Sequence, residues 1–177
     1  TMAILKGEEN LIRNIRIGNT LTEDKFPQAK FDNIVANMPF GVEWKSIYRE
    51  MQAEAKRPET RFFAGLPSVG DSQFLFIQHI LTKMSDKGRA CFLTNGSPLF
   101  VGGPKSTENE VRKTLVKYDM LDCLVYLHSH LSNTRINVVI WVVDNNKSKS
   151  RKGNVQIINV KGDDINTILR AYHGYEK

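Results

Sequence analysis

The chain has 177 residues, 41% of them hydrophobic, enough for one ordinary globular domain with its own core. Its 25 Lys+Arg against 19 Asp+Glu leave a net charge of +6, an excess that permits a nucleic-acid partner without requiring one. No run approaches the roughly 20 apolar residues of a membrane span, and the N-terminal segment lacks the charged and apolar regions of a signal peptide, so no membrane partner and a cytoplasmic location are expected.

In chain order, Ile15 to Ile17 is a short alternating apolar run that stops at Gly18-Asn19-Thr20. Phe31 to Ala36 is a β-branched run that reads as a strand ending at Asn37. Residues 41–70 contain Gly41, Pro58, Gly65, Pro67 and Gly70 and read as irregular; a loop of that length is usually functional or mobile. A helix follows, capped by Asp71 or Ser72, with Phe74, Ile77, Leu81 and Met84 recurring on one face. Asp86-Lys87-Gly88 is expected to end it, Gly88 taking the left-handed cap.

Ala90 to Thr94 reads as a buried strand, and residues 95–105 form a second Gly/Pro-rich loop. Ser106 or Thr107 opens another helix with Val111, Leu115 and Tyr118 in register. Leu121 to Leu127 and Ile136 to Val143 are strands, and the basic stretch 145–153 after them reads as a solvated loop. A last strand, Val155 to Val160, precedes a short helix near Asp164 to Tyr172. Cys91 and Cys123 sit inside apolar runs, without metal-ligand spacing or a disulfide framework, and are expected to be small buried hydrophobes.

Strands separated by helices predict an α/β fold with a doubly wound, mostly parallel sheet covered on both faces. Strands 121–127 and 136–143 are joined too closely for a helical crossover, so they should pair antiparallel, at one edge of the sheet. In such sheets ligands bind at the carboxyl ends of strands, which singles out the loops after Ala36, Thr94 and Leu127. The first reads Asn37-Met38-Pro39-Phe40-Gly41. An Asn-X-Pro-aromatic turn presents an amide and a backbone carbonyl beside an aromatic face, a constellation suited to a flat heterocycle with an exocyclic amine.

Other features read as structural. Trp44 is expected to anchor its loop on the core, and His79 to be a structural helix residue. His128 and His130 lack a third ligand at metal spacing, so no metal is expected. Gly102-Gly103 lacks the lysine pattern of a phosphate loop.

Residues 31–41, FDNIVANMPFG, resemble the FDxIVANPPFG signature of the modification subunits of type I restriction systems, which are N6-adenine DNA methyltransferases. The resemblance extends to Ile17 to Leu21, to the segments 73–79 and 87–90, to Asn95 to Phe100 with Gly102-Gly103, and to Leu131 to Ile136 with Ile140-Trp141. It implies a Rossmann-like methyltransferase fold, S-adenosylmethionine as cofactor, and DNA as substrate. It also implies a specificity subunit and a second modification subunit as partners and, where cleavage accompanies modification, a restriction subunit. In the family the Asn side chain and the next carbonyl accept hydrogen bonds from the adenine amine, which assigns Asn37 and Met38; Pro39 shapes the turn and Phe40 stacks on the flipped base. By the same analogy Asn19 contacts the cofactor's adenine.

The family's glycine-rich cofactor loop has no counterpart in residues 1–14. The resemblance therefore implies a single partial domain, truncated at its N-terminal side: the C-terminal portion of a methyltransferase domain, with the long loop 41–70 and a C-terminal extension from about 148 to 177. Such a piece would be inactive alone. Met38 stands where the family has its first proline, Leu131 and Ser132 where it has aromatics, and Arg135 and Asn137 where it has Gly and Pro. A degenerate scaffold that binds DNA or protein is the alternative these changes support. A third is methylation of another substrate, since related motifs serve cytosine-N4, ribosomal RNA and protein-glutamine methyltransferases.

Overall fold

The computed structural model describes residues 12, 14–127, 137–159 and 164–174. The FDNIVAN run forms strand β1 (Phe31–Asn37), and the apolar-periodic segment after residue 72 forms helix α2 (Gln73–Lys83), which leads directly into the long strand β2 (Met84–Asn95). Between β1 and α2 the expected irregular segment contains a 3-10 turn (Lys45–Ile47) and helix α1 (Tyr48–Ala55). Helix α3 (Thr107–Lys117), strands β3 (Leu121–Leu127), β4 (Val138–Asp144) and β5 (Gln156–Asn159), and helix α4 (Ile165–Gly174) complete the order.

The five strands form one sheet in the order β1-β2-β4-β3-β5. β1 runs parallel to β2 and β3 parallel to β5, while β4 is antiparallel to both its neighbours. Four strands therefore share one direction, a mostly parallel sheet. The antiparallel pairing of β3 with β4 is present, but the hairpin is not at the sheet's edge: β4 lies between β2 and β3, and β5 covers the outer side of β3. A short connection fixes only that two strands pair; which strands flank the pair depends on where β2 and β5 return. The unbroken apolar run Val138 to Val143 suits the interior position.

On one face α2 and α3 bury Phe74, Ile77, Val111 and Leu115 against Phe92, Val139 and Trp141. On the other, Ile168 of α4 packs with Cys123, Val125 and Ile158. Fully burying such a side chain contributes about 1.5–3 kcal/mol. Trp141 stacks on Phe92 with ring centroids 6.0 Å apart, and its indole N–H donates to the Thr94 hydroxyl at 2.8 Å, so the large ring is buried without an orphan donor. A third cluster, Leu21, Trp44, Met51, Phe62 and Leu75, roots the 41–70 segment on α2, in keeping with Trp44 as an anchor.

Several local expectations are corrected. The apolar run Ile15 to Ile17 lies in irregular chain instead of in the core, with Ile17 95% exposed. Helix α2 stops at Lys83, and Gly88 is not a left-handed cap. It lies within β2 at an irregular register step, where an added Cβ would stand 2.8 Å from the Phe31 carbonyl oxygen; glycine is required there for close backbone approach, not for its φ. Tyr118 is exposed rather than in register with Leu115, because the helix ends at Lys117. The basic stretch is only partly solvated: Lys147 and Arg151 are buried and paired with Asp119 and Asp122. Cys123 is fully buried, whereas Cys91 is half-buried. The positions His128, His130, Leu131, Ser132 and Arg135 lie outside the described residues.

Candidate functional site

β1 and β2 end side by side, Asn37 pairing with Leu93, so the turn after Asn37 and the loop after Asn95 form one rim at the carboxyl ends of parallel strands. Alternation along β1 leaves Asn37 exposed and turns the next residue inward. Met38 is 4% exposed and belongs to the main core cluster with Phe74 and Ile77. Proline would have fixed this turn through its ring; here a buried side chain fixes it, and the carbonyl position is held by packing instead of by a locked φ. Pro39 is exposed and Phe40 half-buried. Gly41 then takes φ +60°, a conformation that favours glycine, to reverse the chain.

The turn is tied down immediately afterwards. The Val42 carbonyl accepts from Ser72 N at 2.9 Å, and the Trp44 N–H and indole donate to the Val69 and Ser68 carbonyls at 3.0 and 2.9 Å. Among the described residues, no hydrogen bond engages the Asn37 side chain or the Met38 carbonyl. The Asn37 amide is thus held exposed at the rim, beside the carbonyl of buried Met38, which no group among the described residues engages.

Behind them lies a polar cluster that sequence reasoning did not assemble. Gln73, fully buried, donates to Asp71 Oδ2 at 2.7 Å and to Asn95 Oδ1 at 3.0 Å, and its own carbonyl accepts from Asn95 N at 3.0 Å. Asp71 Oδ1 accepts from Gln73 N, so Asp71 performs the capping of α2, while the Ser72 hydroxyl is buried without a partner. The Asn95-Gly96-Ser97 turn was visible in the sequence as a loop, but nothing marked Gln73 as its partner.

Asn19 lies elsewhere. Its side-chain oxygen accepts from Leu21 N at 3.0 Å within its own turn, and Arg61 holds that turn through the Thr20 and Leu21 carbonyls. Gly18 and Thr20 line a cleft with Phe31, at the opposite end of β1 from Asn37. His79 accepts at Nδ1 from Arg61 at 2.9 Å, since a guanidinium can only donate. Burial, and then the Arg61 charge, push its pKa down to about 4, so it is a neutral structural residue. No His/Cys/Asp/Glu cluster able to hold a metal occurs among the described residues, and no helix among them is long and apolar enough to cross a membrane.

A mostly parallel sheet with one antiparallel strand set inside it, carrying an Asn-X-Pro-aromatic turn at a strand end, defines a Rossmann-like fold of the methyltransferase kind. The fold superposes with a TM-score of 0.71 on the type I restriction-modification methyltransferase subunit from Streptococcus thermophilus, at 22% identity, covering 95% of this chain and 39% of that one. It also superposes with a TM-score of 0.59 on a putative class I S-adenosylmethionine-dependent methyltransferase from Listeria monocytogenes, at 17% identity, covering 84% and 44%. Residues 1–170 match the N-6 DNA methylase family, and the chain belongs to that family. It is similar to the type I restriction enzyme HindI methylase subunit of Haemophilus influenzae, with 31% identity over 174 residues and 89% of this chain covered. The MjaIX methylase subunit of Methanocaldococcus jannaschii is 28% identical over 165 residues. The chain spans 37% and 27% of the length of these two relatives.

At the end of β1 the exposed Asn37 amide can both accept and donate a hydrogen bond. β1 also presents an edge without a strand partner among the described residues, and a face on which Val35 is 87% exposed.

Proposed function

We propose that this chain is the part of a type I modification subunit that captures the target base for adenine-N6 methylation of DNA. Bound S-adenosylmethionine supplies the sulfonium methyl group that is transferred. Asn37 Oδ1 and the Met38 carbonyl accept the two hydrogens of the adenine amine, which directs its lone pair outward; orientation replaces a strong base. Pro39 shapes the turn, and Phe40 stacks on a base swung out of the duplex. The resemblance alone would give Asn19 to the cofactor's adenine; its turn, at the opposite end of β1 from Asn37, does not support that assignment. The observation that carries this reading is the pair of acceptors without a partner among the described residues, at the end of β1 on a turn pinned by buried Met38. That pinning supports this reading over the scaffold alternative at Met38, since loss of the first proline has not cost the turn its anchor.

Taken without the rest of the subunit, this chain is inactive. The complete protein works in the cytoplasm with DNA, a specificity subunit that reads the sequence, and a second modification subunit; a restriction subunit joins where cleavage accompanies modification. The test expresses the full reading frame with its neighbouring genes in a methylation-free host and maps N6-methyladenine across the genome by single-molecule sequencing. Methylation at one bipartite motif, lost in Asn37→Ala with the protein still folded, is the expected result. The loss in kcat should be about 10²–10³-fold or more, as for removal of a single aligned polar group at a reacting centre. A blank genome with folded wild-type protein would replace this reading with the scaffold.

A further inference from the structure

Asn95 sits on the same rim, and its geometry is unusually determined. Its Oδ1 accepts from Ser97 N at 3.0 Å, from the Ser97 hydroxyl at 2.7 Å and from Gln73 Nε2 at 3.0 Å. A backbone N–H can only donate, so the orientation of the Asn95 amide is not interchangeable: its oxygen faces inward and its NH2 group must face out. That Nδ2 has no hydrogen-bond partner among the described residues and is not among their buried orphan atoms, so it reaches solvent. Asn37 pairs with Leu93, and Asn95 lies two residues further along the adjacent strand. The two Cα atoms stand about 8 Å apart, from a 4.8 Å strand spacing and a 3.3 Å rise.

The rim therefore offers two acceptors, at Asn37 and Met38, and one fixed donor, at Asn95. Adenine presents the complement: an exocyclic amine that donates, flanked by the ring acceptors N1 and N7. Guanine presents the reverse, an acceptor at O6 beside a donor at N1. We propose that Asn95 is a specificity-determining residue that donates from Nδ2 to a ring nitrogen beside the amine of the captured base, with Gln73 and Ser97 as the residues that position it. This rests on the adenine-methylation reading above and adds to it the group that recognises the ring. The positioning chain runs further, because Gln73 begins the helix whose preceding residue, Ser72, holds the Val42 carbonyl of the Asn37 turn. Donor and acceptors thus stand on one hydrogen-bonded frame.

The test uses the complete enzyme with its partner subunits and duplexes carrying adenine, 7-deazaadenine or 1-deazaadenine at the target position. Asn95→Ser removes the outward donor without adding charge; Asn95→Asp keeps an inward oxygen for Ser97 and Gln73 but puts a charged acceptor where the donor was, and should fall further on adenine than the serine variant. Leaving one hydrogen-bonding group unpaired corresponds to about a 5- to 150-fold loss. The expected result is that wild-type kcat/KM falls by that factor on one of the two analogues, which names the ring nitrogen. The serine variant should fall similarly on adenine and lose nothing more on that analogue, the signature of two groups that act on each other. Losses that multiply, or wild-type rates equal on all three bases, would overturn the assignment while leaving adenine methylation standing. A wild-type enzyme that methylates no adenine would overturn both.

Discussion

At Asp122 an arginine, a tyrosine and a glutamine close on one another, while at Asn95 a glutamine, a serine and an aspartate do nearly the same and then stop one bond short. Around Asp122, Arg151 donates through Nε at 2.7 Å and Nη2 at 3.1 Å, and the Tyr172 hydroxyl donates at 2.6 Å. The guanidinium stacks 4.4 Å from the Tyr172 ring, and Gln156 bridges Arg151 Nη2 to the Ala171 carbonyl. This cluster ties β3, β5, α4 and the basic loop together in the interior, where a charge without its partner is costly. The Asn95 cluster uses similar chemistry at a strand end to fix an amide whose outward half faces solvent. Buried polar groups that satisfy one another stabilise a fold; polar groups fixed by their neighbours but left open at a rim are prepared for a ligand.

The contrast can be broken from either side. Arg151→Ala strands the buried Asp122 carboxylate and should cost about 3–5 kcal/mol in urea or guanidinium unfolding. Base capture by whatever enzyme remains folded should be intact; loss of capture with little loss of stability would erase the distinction. Met38→Ala should cost about 2–5 kcal/mol through the cavity it opens, with methyl transfer also reduced because the turn loses its root. A stable variant with wild-type transfer would show that burial of this side chain does not position the carbonyl.

His79 sharpens the stability side through pH. Its folded-state pKa of about 4 lies below the unfolded value of 6.5, so the unfolded chain binds the proton more readily. The stability this shift confers is fully present above pH 6.5 and is lost as pH falls toward 4, by at most about 3 kcal/mol. His79→Gln should flatten that part of the curve in denaturant titrations between pH 6.5 and 4.5; an unchanged slope would assign the acid sensitivity to other groups. The smallest effect is expected at the rim itself. Phe40→Ala should leave unfolding nearly unchanged and weaken base capture by about 1–3 kcal/mol, read as the affinity for a duplex with an unpaired target base. A fall in stability without a fall in affinity would make Phe40 a core anchor.

The sequence by itself determined the elements and the motif. Apolar runs with β-branched residues marked the strands, helical spacing marked α2 and α3, and FDNIVANMPFG marked the rim and its family, because these signals are local and repeat within a few residues. It missed α1 inside the long loop, since five loop glycines and prolines around Tyr48–Ala55 masked a short amphipathic turn of chain. It misjudged Met38, whose replacement of a proline reads as lost rigidity until its side chain is seen among Phe74 and Ile77.

Only the tertiary structure decided the strand order, the interior place of β4, the pairing of Lys147 and Arg151, and the frame joining Gln73 to Asn95. Each depends on groups 22 to 29 residues apart or on strands that return from opposite ends of the sheet. Pairing at that range is chosen by burial and hydrogen-bond satisfaction in three dimensions, which no local pattern of residues encodes.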